Sequence, residues 1–162
     1  APVRLEYTYS DEELALLAGG DTDSFNRWEA MQRLGTKTVF DALAAPCVES
    51  FQPNAAFVEA MRRTIIDRST DDLSLIAYAL ALPVQGTLME LASPPIDPTR
   101  LNAARNRVRN VIGEVLRSQL LERYNELTPA DSDPYVVDGV NSSRRRLRGV
   151  LLSYLCTAGD AE

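Results

Sequence analysis

Apolar positions recur at steps of three and four along most of the chain, the spacing of one face of an α-helix. Ser10 followed by Glu13 forms a capping box ahead of Leu14, Leu16 and Leu17, because each side chain can satisfy a free N–H at the other's residue. A short helix is expected to about Ala18, with Gly19-Gly20 ending it in a left-handed cap. Asp21-Thr22-Asp23-Ser24 offers N-caps for a second helix carrying Phe25, Trp28, Met31, Gln32 and Leu34, which runs to about Ala44 or Ala45 before Pro46. Gln52-Pro53-Asn54 opens a third, with Phe57, Val58, Met61, Ile65 and Ile66 on its stripe. Ser69-Thr70-Asp71-Asp72 caps a fourth, which carries Leu73, Leu75, Ile76, Ala79 and Leu80. Pro83 is placed as the first residue of a fifth, which reaches Leu91.

Asp97-Pro98 is a strong helix start, with Asp as N-cap and Pro at the first helical position. The stripe that follows, from Leu101 through Leu116 to Leu120, Leu121 and Tyr124, predicts the longest helix of the chain. After a polar loop over residues 128–134, a last helix begins near Asn141 or Ser142 and uses Leu147, Val150, Leu151, Tyr154 and Leu155. Only residues 3–9 alternate apolar and polar like a strand, and one strand alone cannot stand. The fold class is therefore all-α. Paired helices of roughly 35 to 45 residues resemble α-solenoid repeats of the ARM/HEAT kind.

The 162 residues suit one domain, and 45% apolar content is that of a folded protein. Seventeen basic against 23 acidic side chains give a net charge of −6, which disfavours binding to nucleic acid or an anionic membrane. No apolar run approaches the roughly 18 residues that would span a bilayer. Histidine is absent, which excludes Ser-His-Asp and Cys-His catalysis, a histidine base and histidine-ligated zinc. Cys47 and Cys156 are flanked by apolar residues and belong to no Cys-x-x-Cys pair. They are read as buried free thiols of a reducing, cytoplasmic protein, although export stays open if a signal was removed upstream.

The remaining candidate chemistry is sparse. Asp21/Asp23, Asp71/Asp72 and Asp131/Asp133 are acidic pairs, but none has the alternating ligands, central Gly and closing Glu of a calcium loop. Helix capping accounts for the first two. Arg144-Arg145-Arg146 with Arg148 spreads over several helix faces and is expected to find carboxylate partners within the chain. Phe25 and Trp28 share one side of a helix, and Trp28 is expected to anchor the core while Arg27 bridges to a nearby acid. No nucleophile and base can be paired, so the chain alone is not read as an enzyme.

Asp21-Thr22-Asp23-Ser24-Phe25-Asn26-Arg27-Trp28-Glu29-Ala30-Met31-Gln32 resembles a segment of the C-terminal half of the bacterial aminopeptidase N family, the gluzincin-type zinc aminopeptidases. Three further segments agree in order: Ala1-Pro2-Val3-Arg4-Leu5-Glu6-Tyr7, Ala79 to Pro83 with Ile96-Asp97-Pro98, and Arg146 to Leu155, in which Gly149 replaces the family's usual Asn. The resemblance implies that residues 1–9 end an upstream β-sandwich domain. Residues 10–162 would then begin a helical superhelix that is incomplete at its C-terminal end. Asp23, Phe25, Arg27, Trp28, Glu29 and Gln32 are its structural signature. It also implies a parent hydrolase that removes N-terminal amino acids from peptides with one zinc, held by a His-Glu-x-x-His motif and a downstream Glu. None of those ligands occurs here, so no catalytic, cofactor-binding or metal residue is assigned to this chain. Its implied partners are the catalytic and β-sandwich domains of the same enzyme and its peptide substrates. Its implied role is to close the active-site cavity and limit peptide access. The competing reading of the same helices is a free-standing α-solenoid that binds a peptide or protein in a groove.

Overall fold

A computed structural model describes residues 8–130 and 135–157. Eight helices occur among them: α1 (Asp11–Gly20), α2 (Ser24–Ala44), α3 (Ala55–Ile66), α4 (Leu73–Leu80), α5 (Gln85–Leu91), α6 (Pro98–Val115), α7 (Arg117–Glu126) and α8 (Gly139–Thr157). The strand expected over residues 3–9 falls almost wholly outside the described residues, and Thr8 and Tyr9 are irregular. Asp131 and Asp133 also lie outside them. Among the described residues no single helix is long and apolar enough to cross a membrane.

Local capping sets most of the helix starts. Ser10 and Glu13 form both halves of the capping box, with Glu13 N–H donating to Ser10 Oγ at 3.1 Å and Ser10 N–H to Glu13 Oε2 at 2.8 Å. Asp23, Asn54, Asp72 and Asp97 are the N-caps of α2, α3, α4 and α6. Each places a side-chain oxygen on N–H groups that have no partner inside the helix.

Four boundaries differ from the sequence expectation. Gly19 and Gly20 are the last residues of α1 and adopt no left-handed conformation; the extended residue Asp21 caps the helix instead. Glycine permits a left-handed cap without compelling one. Pro83 precedes α5, whose N-cap is Val84. The stripe from Leu101 to Tyr124 is split at Leu116, where ψ moves to 18° and α6 gives way to α7. The apolar spacing runs straight through that break, and α2, with 21 residues, is the longest helix. Last, α8 begins at Gly139, ahead of Asn141.

Helix α2 is the centre of the packing, against α1, α3, α4 and α6, while α8 closes over α4, α6 and α7. The interior is built from Leu34, Phe57, Ile65, Leu101, Ile112 and Leu147, with no more than 1% of each exposed. Gly35 permits one close approach: a Cβ there would stand 3.3 Å from Pro83 Cδ and 3.7 Å from Leu82 Cδ2. Glycine inside a helix costs roughly 1 kcal/mol relative to alanine, and here it lets the Leu82-Pro83 turn lie against α2.

Arginines tie the helices together through main-chain carbonyls. Arg100 donates to Leu43 O at 3.0 Å and Ala45 O at 2.5 Å, covering the C-terminal end of α2. Arg105 donates to Pro83 O at 2.7 Å, Arg107 to Phe51 O at 3.0 Å and Arg123 to Asp67 O at 3.2 Å. The carbonyl end of a helix is electronegative and its last carbonyls lack helical partners. A guanidinium fork from a distant helix supplies both charge and donors.

Candidate functional site: the groove beside Trp28

The six signature residues all sit on or just before the first half of α2. Asp23 Oδ1 accepts from Phe25 N–H at 2.7 Å, and Asp21 Oδ1 from Asp23 N–H at 2.8 Å, so the first acidic pair shapes the turn and cap. Arg27 reaches the acid that helical spacing alone could not name. Its Nη2 lies 2.5 Å from Asp67 Oδ2, just past α3, and its Nε donates to Ala18 O at 3.2 Å near the end of α1. Both side chains of that pair are only 13% exposed. Burial alone would raise the Asp67 carboxyl, but hydrogen bonds from the Ser69 hydroxyl and N–H and from Arg27 outweigh it and hold it at about 2. Glu29 pairs with Arg33 at 2.6 Å on the open surface. Gln32 Nε2 donates to Ala81 O at 2.9 Å and Tyr78 O at 3.3 Å, fastening α2 to the end of α4.

Trp28 is no core anchor. It is half-buried, stands outside the packed interior and leans on Phe25, with ring centroids 5.5 Å apart and planes tilted by 44°. Phe25 itself is 60% exposed. The buried stripe of α2 begins only at Ala30 and Met31, so the first turns of the helix overhang the packed part.

Beside that overhang lies a groove of about 700 Å³, open to solvent. Trp28, Gln32, Thr36 and Phe40 line it from α2, Tyr78 from α4, and Pro83 and Val84 from the α4–α5 connection. Residues 28, 32, 36 and 40 form one i, i+4 row, which is the sequence signal for this surface. Val84 and Leu91 stand 63% and 51% exposed at its edge. The ionic groups of the rim are already paired. Glu29 holds Arg33, and Lys37 lies between Asp11 (2.9 Å) and Asp41 (3.2 Å), the Asp11 bond leading in holding its ammonium above the usual range. The groove offers apolar contact area and no acid–base pair.

Two other expectations are corrected. Three arginines of α8 rest on tyrosine rings, and among the described residues none of the helix's arginines is within ion-pair distance of a carboxylate: Arg145 lies over Tyr135, Arg146 over Tyr78 and Arg148 over Tyr124, each 4.8 Å from the ring centroid, while Asp138 feels the Arg145 charge without pairing to it. Helix α8 has no acid of its own, and the fold brings aromatic residues to it from α4, α7 and the preceding loop. Cys47 and Cys156 are free but exposed; their apolar neighbours in sequence point elsewhere. Zinc does not fit the described residues. Histidine is absent, and among the described residues no three Cys, Asp or Glu side chains converge as a metal site would require.

Comparison with known proteins places this arrangement. The chain is 30% identical to aminopeptidase N of Escherichia coli over 158 residues, which is 96% of the chain and 17% of that protein. It is 30% identical to aminopeptidase N of Caulobacter vibrioides over 162 residues, 100% of the chain and 18% of that protein. The crystal structure of Legionella pneumophila aminopeptidase A in complex with aspartic acid superposes with a TM-score of 0.79 at 26% identity, covering 97% of the chain and 18% of that structure. The chain thus spans less than a fifth of the length of the relatives it matches. Residues 11–162 match the family described as "Domain of unknown function (DUF3458_C) ARM repeats", and the chain belongs to that family of helical domains.

Proposed function

We propose that residues 10–162 form a non-catalytic helical part of a zinc metallo-aminopeptidase, a bacterial, cytoplasmic hydrolase that removes N-terminal amino acids from peptides. One observation carries this reading: the similarity to proteins named aminopeptidase runs over essentially the whole chain and extends to the fold. The chemistry would reside elsewhere in the parent, because this chain has neither histidine nor a pairable nucleophile and base. Its contribution is architectural. The helices would lie against the catalytic and β-sandwich domains, help close the active-site cavity and restrict which peptides enter. The groove beside Trp28 supports this, being a solvent-open apolar surface of the kind that marks an interaction site.

An antibody raised against this chain tests the reading on the native protein. The expected result is a band several times larger than 17.9 kDa, with chelator-sensitive hydrolysis of alanine- or leucine-linked chromogenic substrates. In that protein, Trp28→Ala with Phe40→Ala should change the ratio of kcat/KM between a long peptide and a small chromogenic substrate. A native band near the mass of this chain, without activity, overturns the reading. A size preference unmoved by the double substitution overturns the access role alone.

A further inference from the structure

Helix α6 carries four arginines and one glutamate, and α8 four arginines and no acid. Most of these guanidinium groups are committed. Arg100, Arg105 and Arg107 hold main-chain carbonyls. Arg144 donates to Asn141 Oδ1, and the other three of α8 rest on tyrosines. Arg109 is the exception. Its Nε is buried without a hydrogen-bond partner, and among the described residues its guanidinium has neither ion pair nor hydrogen bond. The side chain as a whole is half-buried, so its open end is reachable from solvent.

The neighbourhood makes this arrangement costly. One turn before Arg109 stands Arg105, which also has no carboxylate among the described residues. Like charges at i and i+4 repel, and a buried donor that has lost water and gained nothing is destabilising. Burial first, and the Arg109 charge second, push the Arg105 guanidinium below its ordinary value. The Tyr154 hydroxyl, near enough to feel both charges, is committed to Leu80 O at 2.6 Å. Both arginines lie in the interior of α6, where backbone N–H groups are used by the helix and cannot cradle a phosphate. What the site presents is a planar side-chain fork, whose complement is a planar anion with two acceptor oxygens.

We propose that Arg109, with Arg105 beside it, is a carboxylate-binding site, filled either by a free small carboxylate or by an Asp or Glu side chain from elsewhere in a longer protein. The first test uses the 162-residue chain labelled with nitrogen-15 at arginine. The Arg109 Nε–H signal is identified by its loss in Arg109→Met. Acetate and succinate, titrated against chloride at constant ionic strength, should shift that signal saturably, with half-saturation on the order of tens of millimolar. Without carboxylate, Arg109→Met should raise the Tm of the chain by about 2 °C, because the repulsion and the orphaned donor are removed. A signal that does not move, one that chloride moves equally, or a lower Tm in Arg109→Met overturns the proposal. Thermal melts of the longer native protein separate the sources. If a side chain of that protein fills the site, Arg109→Met lowers its Tm and acetate has no effect; if the ligand is free, acetate raises the Tm of the native protein and not of the variant.

Discussion

Replacing Arg27 by Met keeps the aliphatic stem and removes two contacts at once: the 2.5 Å pair with Asp67 and the 3.2 Å bond to Ala18 O. Breaking a fully buried ion pair by removing one partner costs about 3–5 kcal/mol. With 13% of each side chain still exposed, about 2–3 kcal/mol is expected here. Arg27→Lys should fall between, since one ammonium cannot serve both Asp67 and Ala18. The pH dependence gives the sharper check. The Asp67 carboxyl sits at about 2 in the folded chain against 3.8 unfolded, so the folded form holds its proton less tightly. Stability from this group is therefore complete above the unfolded value and is lost as pH falls through about 2. A shift of that size corresponds to about 2.5 kcal/mol before solvent screening, and about 1–2 kcal/mol after it. Roughly half of that should be gone by pH 3. Urea unfolding of wild type and Asp67→Asn at pH 7 and pH 3, read by far-ultraviolet circular dichroism, measures it directly. The gap between the two proteins should shrink as pH falls. A gap that stays constant with pH, or an Arg27→Met protein as stable as wild type, would refute the reasoning.

Three further outcomes follow from the geometry. Asp97→Ala removes the cap on Thr99 and Arg100 N–H, at 2.8 and 3.2 Å, and should cost about 1 kcal/mol in urea unfolding. Tyr154→Phe deletes a hydroxyl that is buried against Leu80 O at 2.6 Å and should cost about 1–2 kcal/mol, read as a lower urea midpoint at unchanged m-value. Cys47 and Cys156, both exposed, should react with Ellman's reagent in the folded protein without denaturant, two thiols per chain; a single reactive thiol contradicts their placement.

What could be read in advance was what is local. The caps depend on two to four neighbouring residues: Ser10 and Asp97 stand where the sequence puts them, and Asp23, Asn54 and Asp72 each fall within the short run of residues the sequence offers. The all-helical class was legible for the same reason, as was the likeness to the aminopeptidase N family, through the Asp21–Gln32 segment and the three further segments that agree in order. The break at Leu116 was not, because Ile112, Leu116 and Leu120 keep helical spacing across it and all three are buried. Trp28 was misplaced because a helical stripe does not reveal where along its length burial starts. The tyrosines over Arg145, Arg146 and Arg148 were invisible for a different reason: Tyr78 lies 68 residues from Arg146, and no periodicity reports such a distance. The groove was half legible, since its α2 wall is one i, i+4 row while the opposite wall comes from Tyr78, Pro83 and Val84.

The arginine tethers bear on how quickly this chain comes apart. Arg105 reaches back 22 residues to Pro83, and Arg100 reaches back 57 to Leu43. Each bond forms only after two remote stretches of chain have already met, so none can nucleate a helix, and each is expected to be absent from the folding transition state. Contacts of that kind leave the folding rate nearly unchanged and slow unfolding instead. The carbonyl ends of α2 and of the Leu82-Pro83 turn are thus latches, and the lifetime of the folded chain is set by how long those guanidinium groups hold.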